Sequence, residues 1–147
     1  MNDNNFMIEA IKEATLAASE GEVPVGAVIV NDGEIIATAR NNREGTGDAT
    51  GHAEILAIRE ACKVLGGWHL DKCELYVTLE PCPMCMGAII NSRIKRVVFG
   101  AKDAKAGACG SVINLNNYPL NHKPIITSGF MKAECSKLLS DFFGQRR

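Results

Sequence analysis

No apolar run in this 147-residue chain reaches the roughly 18 residues that a membrane-spanning helix needs. The first residues, Met1-Asn2-Asp3-Asn4-Asn5, lack the basic-then-apolar layout of a secretory signal. Internal repeats, low-complexity tracts and linker-like stretches are missing too. There is no shortage of hydrophobic residues and no excess of charge. At 46% hydrophobic and 22% charged, the chain is neither disordered nor collagen-like. These absences leave the expectation of a soluble, cytoplasmic protein with one domain over 1–147, long enough to bury about two-thirds of its unfolded surface.

Net charge is almost absent, at −1, yet it is unevenly placed. Residues 1–80 hold 6 Lys/Arg against 14 Asp/Glu, and residues 81–147 hold 10 against 3, so a half at −8 precedes a half at +7. A basic half is the footprint a polyanion such as nucleic acid would need, although ordinary surface patterning produces the same count. Six cysteines (Cys62, Cys73, Cys82, Cys85, Cys109 and Cys135) allow three disulfides. A chain of this length with no export signal does not need them, so metal binding or simple burial is the better reading.

Apolar residues at Phe6, Met7, Ala10, Ile11, Ala14, Ala17 and Ala18 recur with a helical period over Asn4 to Glu20. Val25–Val30 and Glu34–Arg40 read as strands joined by an Asn31-Asp32-Gly33 hairpin turn. Residues 41–51 are polar and read as a loop. Helical spacing returns over His52–Leu65, with Ala53, Ala57, Ala61, Val64 and Leu65 on one side. Leu75–Leu79 and Arg96–Gly100 are strands around a short helix at Pro83–Asn91, and Pro124–Thr127 and Lys132–Phe143 close the chain as strand and helix. Strand–helix–strand units in the middle favour parallel pairing by right-handed crossover. The order predicts an α/β fold, a three-layer α/β/α sandwich with a mixed central sheet.

Cys82-Pro83-Met84-Cys85 carries the first chemical signal. Pro83 fits the first helical position, which puts Cys82 at the cap and Cys85 one turn later, so that both sulfurs can meet one ion. The helix N-terminus favours thiolates. Alone, this spacing also fits a redox pair or half of a structural zinc site. His52-Ala53-Glu54 changes the weighting. Asp48 and Thr50 are the expected caps of the helix that follows, placing His52 in its first turn. Glu54, about 200° further round, diverges from the imidazole and need not bind the metal. One His and two Cys leave a tetrahedral position open for water, as in catalytic zinc sites, with Glu54 available as acid and base. Zinc would acidify that water to hydroxide. A structural zinc with Cys62 or Cys73 as fourth ligand is the bland alternative.

His-x-Glu followed by Pro-Cys-x-x-Cys is the signature of zinc nucleobase deaminases. The likeness extends to Glu22-Val23-Pro24-Val25-Gly26-Ala27, Leu75 through Cys82, Ser92-Arg93-Ile94, Arg96 through Ala101, Asp103 through Gly107 and Leu138 through Phe143. Over about Phe6 to Arg146 the chain resembles the bacterial tRNA adenosine deaminases. The resemblance implies a cytidine-deaminase-like fold, a homodimer and one Zn2+ per subunit, held by His52, Cys82 and Cys85. It implies hydrolytic deamination of the wobble adenosine of an arginine tRNA anticodon to inosine, with Glu54 as proton shuttle and Asn41 bonding the flipped base. Read without the family, Asn41 is a polar turn residue beside Asn42.

Three positions depart from the family pattern. Gly51 loosens the loop into the metal helix, with Ala49 two residues earlier, and Met86 follows the second cysteine. Cys62, Cys73, Cys109 and Cys135 read as small buried hydrophobes and His69 as structural. Three features could face RNA: His122, Lys102 with Lys105 beside Asp103, and the terminal Gln145-Arg146-Arg147, the last equally a solvated helix end. A deaminase of free guanine, cytosine or cytidine stays open, as does a non-catalytic zinc-stabilised RNA-binding module.

Overall fold

The computed structural model describes residues 2–145, so Arg146 and Arg147 of the basic terminal triplet lie outside the described residues. The chain runs α1 Asp3–Ser19, β1 Gly26–Asn31, β2 Glu34–Arg40, α2 Arg43–Thr46 and α3 Ala53–Leu65. It continues with β3 Cys73–Leu79, α4 Pro83–Asn91, β4 Arg96–Ala101, β5 Ile125–Thr127 and α5 Lys132–Gln145. No helix among the described residues is long and apolar enough to cross a membrane.

The strands form one mixed sheet in the order β2-β1-β3-β4-β5. β1 pairs antiparallel with β2 and with β3, while β3–β4 and β4–β5 are parallel. The hairpin forms as expected. Asp32 and Gly33 both take positive φ (53° and 79°), the conformation a tight two-residue hairpin loop requires. The expected parallel pairing holds for β3–α4–β4. Around α3 it takes a different form, because β1 lies between β2 and β3. Those two strands run the same way, and α3 crosses over an intervening neighbour.

Alternation along the strands divides the core into two layers. Ala27 and Ile29 of β1, Leu75 and Val77 of β3, and Val97 and Phe99 of β4 face α3 and α4. Val28, Val30, Tyr76 and Val98 face the opposite layer, packing with Phe6, Met7 and Ala10 of α1 and Cys135 of α5. Central strands buried on both faces read as continuous apolar runs, which is how Val25–Val30 stands in the sequence. Val64 and Leu65 depart from the helical reading of α3. The buried positions are Ala53, Glu54, Ala57, Ile58 and Ala61, and the last turn is exposed. The expected 41–51 loop contains the single-turn α2, and a 3-10 turn at Leu115–Asn117 was not signalled by periodicity.

Candidate active site

Parallel strands with helices over one face bring helix N-termini and strand C-termini to one edge of the sheet, the usual place for chemistry in such folds. At that edge α3 and α4 start side by side. Cys82 is the N-cap of α4 with Pro83 at its first position, as expected. His52 is itself the N-cap of α3, with extended backbone (φ −77°, ψ 147°), and so does not sit in the first turn. Asp48 and Thr50 do not cap the helix either. Asp48 Oδ1 accepts from the N–H and hydroxyl of Thr50, closing a local turn. The N–H of Ala53 donates instead to Asn41 Oδ1 at 2.8 Å. Asn41 therefore caps α3 from twelve residues upstream, a pairing with no local sequence signal.

His52 Nδ1 lies 3.6 Å from Cys82 Sγ and 3.5 Å from Cys85 Sγ. One ligand atom from each of the three residues falls within 4.8 Å of the others. Tetrahedral zinc with Zn–S of ~2.3 Å and Zn–N of ~2.0–2.1 Å requires S···N edges of about 3.6 Å. The donor set and its spacing fit such an ion. Among the described residues, Cys62 and Cys73 take no part in the group. All six cysteines are free thiols rather than disulfides.

Protons are unevenly shared in this cluster. Cys85 donates to Cys82, and with His52 alongside this holds Cys82 down at about 4 despite burial. Cys85 keeps its proton and is driven far up, first by that bond and then by burial. The bond to Cys82 raises His52. Burial pushes the Glu54 carboxyl up to about 7.

Glu54 and His52 do not diverge, as helical spacing had implied. The extended backbone at His52 turns its ring toward the same cavity. That cavity, about 220 Å³, is lined by Asn41, His52, Glu54 and Cys82 among others, with Val23, Val25 and Leu79 as apolar wall and Arg43, Asp103 and Ala106 at its rim. Glu54 borders it without belonging to the metal-ligating group. Asn41 is buried, its Oδ1 is committed to Ala53, and among the described residues its Nδ2 makes no hydrogen bond.

Two buried carboxylates escaped the sequence reading. Glu22 accepts from the backbone N–H groups of Arg43, Glu44 and Gly45, fixing the start of α2. Glu80 accepts from the N–H groups of Asp103, Cys109 and Ser111 and from the Ser111 hydroxyl. Glu22 opens the Glu22-Val23-Pro24 stretch and Glu80 closes the apolar Leu75–Leu79 run before Pro81-Cys82. A charge directly beside an apolar run is the signal that could have marked them.

The departures also find places. Gly51 is a close approach and not slack: a Cβ there would lie 2.8 Å from the carbonyl oxygen of Asn42, whose N–H bonds Gly51. Met86 is buried, its sulfur 3.6 Å from Cys109 Sγ. His69 stacks on Trp68 at 3.8 Å, and His122 contacts the carbonyl of Ile94 at 2.6 Å; neither lines the cavity.

A mixed five-stranded sheet carrying a His-Cys-Cys cluster and a buried glutamate at its edge defines a deaminase of the cytidine-deaminase-like fold. The MafB19-like deaminase family model matches residues 1–147. The chain is 52% identical over 146 residues to the tRNA-specific adenosine deaminase of Bacillus subtilis, covering 99% of this chain and 91% of that protein. It is 49% identical to the enzyme of that name from Aquifex aeolicus, covering 100% and 97%. A solved structure from studies of A-to-I editing by tRNA:A34 deaminases superposes with a TM-score of 0.91 at 44% identity, covering 92% of this chain and 99% of that one. Guanine deaminase from Bacillus subtilis follows with a TM-score of 0.67 at 36% identity over 99% and 94%. The chain belongs to the tRNA-specific adenosine deaminase family.

Proposed function

We propose that this protein hydrolyses the wobble adenosine of a tRNA anticodon, that of an arginine tRNA, to inosine in the cytoplasm, as one catalytic domain over 1–147. The observation that carries the reading is the clustering of His52, Cys82 and Cys85 beside a buried Glu54 in a cavity of about 220 Å³. A space below the roughly 300–1,000 Å³ of drug-sized pockets suits one extruded base rather than a duplex.

His52, Cys82 and Cys85 would hold one zinc ion per chain, which supplies Lewis acidity to activate water at neutral pH. Glu54 works on protons. Lifted toward neutrality by burial, it is matched to both directions of transfer. It takes a proton from the attacking water and delivers it to the ring nitrogen beside the amino-bearing carbon. It then takes the remaining proton of the added hydroxyl and passes it to the amine, which leaves as ammonia as the C–N bond breaks and the carbonyl forms. The apolar wall of Val23, Val25 and Leu79 keeps bulk water from the carboxyl. Asn41, oriented by its bond to Ala53, presents its amide N–H to the edge of the base.

We also infer a homodimer. Val64, Leu65 and Trp68 at the end of α3 and Met84 on α4 are exposed apolar side chains on one helical layer, a pattern typical of interfaces. Light scattering should give twice the chain mass, and a monomer at micromolar concentration would refute it.

A free-guanine deaminase is the second reading, favoured by the 36% identity to guanine deaminase. Ammonia release from an arginine anticodon stem-loop, free guanine and cytidine, measured side by side, separates the readings. Turnover of the stem-loop alone supports the proposal. Efficient turnover of guanine or cytidine with an inert stem-loop overturns the tRNA reading.

A further inference from the structure

We propose that Glu80 is a positioning residue that fixes the 102–111 loop as the far wall of the cavity, and through it the grip on substrate. The substrate part of this proposal rests on the function argued above. Glu80 lies at the end of β3, two residues before Cys82, with 2% of its surface exposed. A carboxylate in such a place costs free energy unless each oxygen is satisfied. Here Oε1 accepts from Asp103 N–H at 3.0 Å and from the Ser111 hydroxyl at 2.5 Å. Oε2 accepts from Cys109 N–H at 2.9 Å and Ser111 N–H at 3.1 Å. Both ends of the loop thus converge on one side chain.

The middle of the loop is tied at Ala108, which is buried in the core and donates to the Pro81 carbonyl at 2.8 Å. The segments on either side of it face open space. The catalytic cavity lies on one side, touching Asp103 and Ala106, and a second cavity of about 440 Å³ lies on the other, touching Lys102, Ala104, Gly110 and Ser111. Glu80 lines both. Without it, the loop would have open space behind it. Gly107 completes the fit, since a Cβ there would stand 2.4 Å from the carboxylate carbon. The loop also carries the rim: Asp103 Oδ1 accepts from the N–H groups of Lys105 and Ala106, so a shift at Asp103 moves all three. Glu80 lies outside the His52-Cys82-Cys85 group, and both its oxygens are taken up by donors of the loop. It acts through the loop.

Glutamine in its place presents an NH2 group to backbone N–H donors and leaves two of them unpaired. The test compares zinc-loaded wild type, Glu80→Gln, Glu80→Asp and Ser111→Ala by metal content, by amide hydrogen exchange across 102–111, and by KM and kcat on the anticodon stem-loop. Glu80→Gln should keep its metal while the amides of Asp103, Cys109 and Ser111 exchange about ten-fold or more faster. Its KM should rise about ten-fold with kcat changed by less than about three-fold, because misplaced binding groups alone can cost up to roughly 10²-fold. Glu80→Asp should recover part of the loss, and Ser111→Ala should move the same readouts less. Unchanged exchange at those amides overturns the proposal, as does loss of metal with KM unchanged in the loaded fraction. If Glu80→Gln does not fold, exchange and KM in Ser111→Ala decide, and no change in either overturns it. Wild type inactive on the stem-loop, with the exchange difference present, would sink the tRNA reading and leave the clamp standing.

Discussion

At the residue scale, Glu54 concentrates the chemistry. Replacing Glu54 by Ala should leave the fold and the metal in place, because its carboxylate is outside the ligand group. Turnover should fall by about 10²–10⁴, the usual share of a general acid–base, and a variant keeping more than about a tenth of wild-type rate would contradict the role. The ligands yield a second prediction. Metal uptake must displace the proton held on Cys85 and any on His52, both of which are raised above their ordinary values. Zinc affinity should therefore rise with pH through the neutral range, with protons released on binding, and calorimetry in two buffers of different ionisation enthalpy measures it. Glu22 concerns stability instead. Burial would raise its carboxyl, but the N–H groups of Gly45, Glu44 and Arg43 outweigh that and hold it below the usual 4.5. A lowered folded-state value stabilises above the unfolded value and is lost as pH falls through the folded one. Glu22→Gln should thus cost about 1–3 kcal/mol at pH 7, the penalty of unpaired buried donors, and denaturation curves of variant and wild type should converge as pH falls from 4.5 through the lower folded-state value.

At the scale of elements, the helices are set close to the sheet by small residues. A Cβ at Gly26 of β1 would lie 2.0 Å from the carbonyl oxygen of Ala10 and 2.6 Å from the N of Ala14, both backbone atoms of α1. At Gly100 of β4 it would lie 2.4 Å from Cys135 Sγ and 2.9 Å from Cys135 Cβ of α5, with a backbone atom, the Phe130 carbonyl oxygen, only at 3.0 Å. Backbone cannot swing aside as a side-chain tip can. Gly26→Ala should cost at least about 1–3 kcal/mol, the range for overpacking, and more than Gly100→Ala, in which the cysteine side chain gives way. Equal thermal shifts in the two variants would contradict this ordering. A polar tie holds the start of α1: Asp3 accepts from the Tyr76 hydroxyl and pairs with Arg96, which also reaches Glu74.

At the scale of the whole molecule, the basic half is less available than its count suggests. Arg96 is held by Asp3 and Glu74, Lys137 pairs with Asp141, and Arg93 lies over Trp68. Among the described residues Lys102 and Lys105 carry no ion pair, and they are near neighbours in sequence of Asp103, which lines the catalytic cavity together with Arg43. If they meet phosphates, stem-loop affinity should fall as salt rises, and Lys102→Ala or Lys105→Ala should each reduce the slope of log K against log salt by about one. A slope unchanged in both variants would remove these lysines from the RNA contact.

The sequence by itself determined the layered fold class and marked the residues from which the chemistry is proposed. Helical period in α1 and α3 and the apolar run at Val25–Val30 marked most of the buried positions, because side-chain direction follows backbone repeat, while Val64 and Leu65 at the end of α3 stand exposed. The Cys82-Pro83-Met84-Cys85 turn placed two sulfurs one helical turn apart, because that geometry is local. The tertiary structure decided everything that spans distance. Asn41 caps α3 from just beyond the end of β2, Glu22 and Glu80 gather backbone donors 21 to 31 residues away, and His52 meets the cysteines only where two helix starts adjoin. Such pairings depend on how the sheet orders its strands, with β1 between β2 and β3. No local period encodes that order. It is set by the burial of both faces of the central strands at once.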